Sequence, residues 1–254
     1  MRQLTAFALA TAIAACGATA AKPAPDAVYA AALVAPQRFA KDRERDAARK
    51  PDQVFKFFGV RPGMAVLDVI AGGGYMTEYA SWLVGPQGRI TAFNPKAFEG
   101  YVKDEATARY AGGRLGNVAL VWQDMAAFSV PPASFDAAIM VQNYHDVYWV
   151  QDKMGWTKVD GPKLLATIKA ALKPGGALGI VDHAGAPGSG TAVAQTLHRI
   201  EKAALIKDLV AAGFVLEGES SVLANPADDH TKSVFDDAIR GKTDQFVLRF
   251  RKPR

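Results

Sequence analysis

Val66-Leu67-Asp68-Val69-Ile70-Ala71-Gly72-Gly73-Gly74-Tyr75 decides how this chain is read. Residues 64–70 form an apolar run broken by Asp68, the pattern of a strand buried on both faces. Residues 74–84 then carry helical spacing, so the three glycines fill a strand-to-helix turn. Such a turn lets main chain approach a ligand closely, and the helix behind it offers free N–H groups to a negative group. By itself the motif also suits a cramped connection, so its weight comes from the surrounding pattern.

Outward from this turn the pattern repeats. Further strands are expected at 89–93, 118–122, 135–141 and 177–181, with helical stretches near 105–110 and 161–172. Apolar strands alternating with helices predict a parallel sheet covered on both sides. The tail differs: 214–223 and 245–250 read as strands with no amphipathic helix between them, and are expected to pair antiparallel at one side. The fold class is therefore α/β, a doubly wound, mostly parallel seven-stranded sheet with an antiparallel C-terminal strand and helices on both faces. Residues 27–58 read as helical, with Asp52 capping a short apolar helix that Gly59 ends. Arg43, Asp46 and Arg49 recur every three residues there, as a lid over the pocket or, more simply, a solvated charged face.

With 254 residues, half of them hydrophobic and 22% charged, the chain is too apolar for disorder and long enough for a full core. Thirty Lys+Arg against 25 Asp+Glu leave +5, but the signs are mixed along most of the chain, as in Lys41-Asp42-Arg43-Glu44-Arg45-Asp46. The basic cluster at 249–254 is confined to the tail, so no nucleic-acid partner is expected. At the front, Met1-Arg2-Gln3 followed by the apolar run 4–15 has the layout of a secretory signal. Ile13-Ala14-Ala15-Cys16-Gly17 has the form of a lipoprotein cleavage box, so an exported protein is expected, periplasmic or lipid-anchored through Cys16. The organisation read from these features is a signal at 1–20, a tether and N-terminal helices at 21–58, and one large domain at 59–254. Cys16 is the single cysteine, which removes thiolate chemistry and disulfides from the body.

Two nucleotide classes use a glycine turn of this kind. A dinucleotide oxidoreductase expects G-x-G-x-x-G, but counting from Gly72 and Gly74 the third position is Thr77, and no Tyr-x-x-x-Lys pair occurs. Over residues 60–254 the chain instead resembles the S-adenosylmethionine-dependent methyltransferases of the Rossmann-like type. The resemblance rests on Asp68, on Gly72 and Gly74, on Asp124 in Trp122-Gln123-Asp124-Met125, and on Leu172-Lys173-Pro174-Gly175-Gly176. It departs at Ile70, where the family has its first glycine, and at Asn94, where an acid usually grips the ribose. A closer resemblance is to a group of exported bacterial predicted methyltransferases, carried by Asn143-Tyr144-His145-Asp146, Val181-Asp182-His183, His198-Arg199-Ile200 and the tail segments 225–231 and 240–246.

The resemblance implies S-adenosylmethionine as cofactor, held by Asp68, Gly72, Gly73, Gly74, Tyr75, Asn94, Asp124 and Asn143, and an unidentified small-molecule or envelope component as methyl acceptor. Methyl transfer from a sulfonium is an in-line displacement, so alignment in a dry pocket dominates and no metal is required. A hydroxyl or amine acceptor also needs a base, a task suited to histidine. His145 follows the fourth strand and His183 the fifth. We therefore expect His145 as base, oriented by Asp146 or Asp182, with His183 next in line. Metal binding by His145, Asp146, Asp182, His183 and His198 is the sharper alternative, though no local ligand spacing announces it. Tyr75 and Tyr144 lie where an aromatic face could meet the sulfonium, against the plainer reading that each is packing.

Overall fold

A computed structural model describes residues 26–254. The signal expected at 1–20, with Cys16, and residues 21–25 of the expected tether lie outside the described residues. Three helices open the described chain: α1 (Ala27–Leu33), α2 (Ala40–Arg49) and α3 (Pro51–Phe58). The body then alternates β1 (Ala65–Val69), α4 (Tyr75–Val84), β2 (Arg89–Pro95), α5 (Glu99–Tyr110), β3 (Val118–Gln123) and β4 (Phe135–Val141). It closes with α6 (Gly161–Ala171), β5 (Leu172–His183), α7 (Ala194–Leu197), α8 (Lys202–Ala211), β6 (Val215–Ser220) and β7 (Gln245–Arg251).

The sheet has seven strands in the order β3-β2-β1-β4-β5-β7-β6. The first five pair in parallel, and β7 enters antiparallel between β5 and β6. Successive side chains of a strand point to opposite faces, and the two cores divide on that rule. Leu67, Val69, Met140 and Ile180 pack with α6 and α8 on one side. Val66, Ile139 and Val181 pack with α1, α3 and α4 on the other. Residues 26–58, set apart in the sequence, thus supply one wall of the second core through Tyr29, Val54, Phe55 and Phe58.

Some element boundaries move. Asp52 does not cap α3: Pro51 already occupies the first turn, and the preceding Lys50 sits at φ 41° with no side-chain cap. The fifth strand extends well beyond 177–181, because the Gly175-Gly176 turn is absorbed as an irregularity in its pairing with β4. The helix expected near 105–110 begins at Glu99, and α8 was not anticipated at all. No described helix is long and apolar enough to cross a membrane.

Candidate functional site

The chain reverses direction across the sheet at β1, which lies between β2 and β4, and ligands of such sheets collect at the carboxyl ends of the strands there. A cleft of about 250 Å³ opens at this point, floored by residues 70–74 and bordered by Asp68, Tyr75, Asn143, Asp146, Arg45 and Arg49. Gly72 (φ 60°) and Gly74 (φ 82°) both adopt the left-handed conformation that glycine accepts freely. A Cβ on Gly74 would collide with the Tyr110 hydroxyl and the Arg109 side chain.

Ile70 stands at φ 60°, in glycine's conformation without being glycine, and its side chain is buried. Its carbonyl and that of Val69 both accept from Asn143 Nδ2 at 2.9 Å. Asn143 Oδ1 is left buried with no partner beside the cleft. Asp68 is also buried, and burial raises its carboxyl to about 7, against the pull of the Thr77 hydroxyl that donates to it at 2.6 Å.

Asn94 is not placed as the sequence suggested. It is fully buried, its Oδ1 accepting from Gly72 N–H and its Nδ2 donating to Gly72 C=O, both at 2.8 Å. The amide clamps the loop from behind and is committed on both ends, so it does not face a ribose. Asp124 lies outside the cleft as well. Its exposed side chain pairs with Lys96 at 3.5 Å and borders a separate hollow of about 370 Å³ with Met125, Phe128 and Trp156. The stacked rings of Phe98 and Trp156, 4.6 Å between centroids, stand between the two spaces.

The charged stripe on α2 is not a solvated face. Arg45 and Arg49 line the cleft, while Asp46 takes Arg38 through both oxygens and accepts from the Tyr75 hydroxyl at 2.7 Å. Arg43 alone turns away, onto the carbonyls of Ala35 and Pro36. Burial, with the neighbouring Arg45 charge, lowers the Arg49 guanidinium to about 10, and among the described residues it meets no carboxylate. Arg45 sits 4.7 Å over the Tyr75 ring, so that aromatic face is already taken. Tyr144 is core, its hydroxyl donating to Asp208 at 3.0 Å. Beneath the stripe, fully buried Arg109 joins Asp42 of α2 to Glu78 of α4 and donates to Gly73 C=O at 2.5 Å, tying α2 to the glycine loop.

Three of the four histidines converge at the rim beside Asp146. The His145 ring lies 5.9 Å from that of His183 and 5.4 Å from that of His198. Asp182 orients His145, contacting Nδ1 at 2.7 Å and accepting from its backbone N–H at 2.9 Å; Asp146 instead faces Nε2 at 3.4 Å. Burial disfavours the imidazolium, but the carboxylates of Asp182 and Asp146 more than reverse this and raise His145 to about 9. His183 is the opposite case: burial above all, helped by the positive charges of His145, Arg49 and Arg199, lowers it to about 3 against the pull of Asp182. His183 Nδ1 meets the Thr243 hydroxyl at 2.7 Å. The role of His198 in this cluster had only a faint signal in the sequence, since it follows no strand end.

No protein-family model matches the chain. A solved S-adenosylmethionine-dependent methyltransferase from Aquifex aeolicus superposes with a TM-score of 0.57 at 21% identity, covering 79% of this chain and 88% of that one. The fold is that of the Rossmann-like methyltransferases. The same fold is shared by the [4+2]-cyclase SpnF, at TM-score 0.56, 20% identity and 82% coverage of each chain. Among curated proteins, the ubiquinone/menaquinone biosynthesis C-methyltransferase UbiE of Shewanella sp. strain ANA-3 is 29% identical over 124 residues, 49% of this chain and 44% of that protein. The chain thus matches less than half the length of that curated relative.

Proposed function

We propose that this protein transfers a methyl group from S-adenosylmethionine to a small-molecule acceptor at the rim of the sheet. The observation that carries the reading is the glycine-floored cleft at the switch point, with opposite charges set at its two borders. The residues fit a zwitterionic amino-acid end: Asp68 and the unpartnered Asn143 Oδ1 suit an ammonium, and unpaired Arg49 suits a carboxylate. Gly72, Gly73, Gly74 and Tyr75 supply the close main-chain approach. When bound, the donor supplies an activated methyl on a sulfonium sulfur.

The acceptor enters from the side of His145, Asp146 and His183, because Asp146 borders both the cleft and the histidine cluster. His145, held by Asp182, presents Nε2 towards that side. The same reading carries the expected export: residues 1–20 direct the chain outward, with lipid attachment at Cys16. The mass of the mature N-terminus tests that part alone.

Calorimetry and thermal shift with S-adenosylmethionine and S-adenosylhomocysteine test the central claim. Heat of binding with a raised Tm is expected, and no heat with no shift from either ligand would remove the reading. A second reading, a donor-binding protein without turnover, is favoured by isoleucine at position 70 and by the cyclase that shares the fold. Donor binding with no methylated product across oxygen, nitrogen, carbon and sulfur acceptors would decide for it.

A further inference from the structure

We propose that His145, Asp146 and His198 form a binding site for one divalent transition-metal ion, Zn²⁺, Fe²⁺ or Mn²⁺, at the rim of the cleft. Their donor atoms lie within 4.8 Å of one another. His145 Nε2 is 3.4 Å and His198 Nδ1 is 3.7 Å from the same oxygen, Asp146 Oδ1. These separations are long for hydrogen bonds, whose usual range ends near about 3.2 Å. Ligands at roughly 2.0 to 2.2 Å in a tetrahedral arrangement stand roughly 3.3 to 3.6 Å apart, a range that holds the first separation and falls just short of the second.

The surroundings are those of a metal site. A metal-bound imidazole ordinarily gives its other nitrogen to a carboxylate, which fixes the ring and strengthens the ligand. Asp182, fully buried, does this for His145 Nδ1 at 2.7 Å. His198 is held at φ 52°, a left-handed conformation uncommon outside glycine, and that backbone turns its ring towards Asp146 across from the Trp149 ring. Two imidazoles and one carboxylate leave coordination positions open, the arrangement of a site that takes up a substrate atom. Since Asp146 also borders the cleft, an ion here would seat an oxygen, nitrogen or sulfur acceptor next to the donor and lower its pKa. That last consequence rests on the methyl-transfer reading; the metal site itself does not.

The test uses untagged, chelator-treated protein without any methyl donor, titrated with Co²⁺ and followed by its visible d–d absorption, then by competition with Zn²⁺. One equivalent of Co²⁺ is expected, with band intensities of four- or five-coordination. His198→Asn keeps a side chain that tolerates the left-handed backbone, and Asp146→Asn keeps size. Each should weaken binding by at least about tenfold, since even residues behind the ligands are worth about 10- to 100-fold. His230→Asn, which alters the one histidine outside the cluster, should leave the titration unchanged. Absence of bands in the wild type, or equal binding by wild type and His198→Asn, overturns the proposal. Because no donor is present, metal binding with no S-adenosylmethionine binding would sink the methyl-transfer reading alone, and the converse would sink the metal site alone.

Discussion

At Ile70 the chain holds a β-branched residue at φ 60°, where the Cβ crowds the backbone at a cost of about 1–2 kcal/mol. Burial of the side chain and the two hydrogen bonds from Asn143 to the carbonyls of Val69 and Ile70 keep it there. Truncation separates the two effects. Alanine elsewhere in a folded chain is normally favoured over glycine by about 0.5–1 kcal/mol. Here the order should invert: Ile70→Gly should unfold at higher urea than Ile70→Ala, the gap being about 1 kcal/mol, though both fall below the wild type. Equal midpoints would mean that the left-handed backbone is absent in solution. Asp68, two residues back, gives a pH signature. Its folded-state pKa, about 7, lies above the ordinary carboxylate value, so the folded state binds the proton more tightly. The stability it lends is full below about pH 4 and is lost as pH rises through about 7, with a slope approaching about 1.4 kcal/mol per pH unit between those limits. Asp68→Asn should flatten that decline in urea-unfolding free energies, and a parallel decline in both proteins would assign it elsewhere.

At the scale of elements, α2 is the part whose role the sequence left open. A charged helix with residues every three positions reads as solvated unless something buries it, and what buries it here comes from afar: Tyr75 on α4 and Arg109 on α5. Such contacts leave no local trace. The helix α8 escaped for another reason. Its apolar residues spread over Ala203, Ala204, Leu205, Ile206, Leu209 and Val210, blurring the stripe, and Glu201 before it makes no side-chain cap. Only Leu205 and Leu209 are buried, whereas Val210 is exposed. The strand-turn-helix of β1 and α4 was legible because the apolar run, the glycines and the helical spacing coincide within twenty or so residues. Function at α2 can be isolated from stability through Arg49, which meets no carboxylate among the described residues and lies beside the like charge of Arg45. Arg49→Met removes no ion pair, so its Tm should stay within a degree or two of the wild type. Its affinity for S-adenosylmethionine should fall about 10- to 100-fold, the loss of one charged hydrogen bond. Unchanged affinity in calorimetry would take α2 out of the donor site.

Across the whole molecule, the parallel half of the sheet was readable, and the order of its antiparallel end was readable in principle. Phe246, Val247, Leu248 and Phe250 of β7 are buried as in an inner strand, whereas β6 alternates exposed and half-buried residues as at an edge. The meeting of His145, His183 and His198 was not readable in full, because the last arrives by a long detour of the chain. After β5 the loop returns through the parallel bridge of Ala184 with Ile200, and Arg199 locks it. That fully buried guanidinium donates to the carbonyls of Ala184 and Lys232, both at 2.9 Å, and pairs with Asp228. Asp228 in turn accepts from Asp244 N–H at 2.7 Å, which closes residues 225–244 over the rim. Against the cost of burial, these hydrogen bonds and the Arg199 charge hold the Asp228 carboxyl below its ordinary value. The segments 198–200, 225–231 and 240–246 therefore act as one latch, which touches the cleft at Asp146 and Gln142 and, among the described residues, makes no side-chain hydrogen bond to β1 or the glycine loop. Arg199→Met strips the latch of its centre and leaves Asp228 short of a charge partner, but removes nothing from β1, β2 or β4. Stability is not uniform across a fold, and this region should open on its own. Hydrogen exchange of amides in 198–201 and 228–245 should quicken by at least about tenfold, equivalent to about 1.4 kcal/mol of local stability, with β1 and β2 unchanged. If exchange instead rises evenly through the sheet, Arg199 belongs to the global core, and the rim histidines owe their positions to the fold as a whole and not to a separable latch.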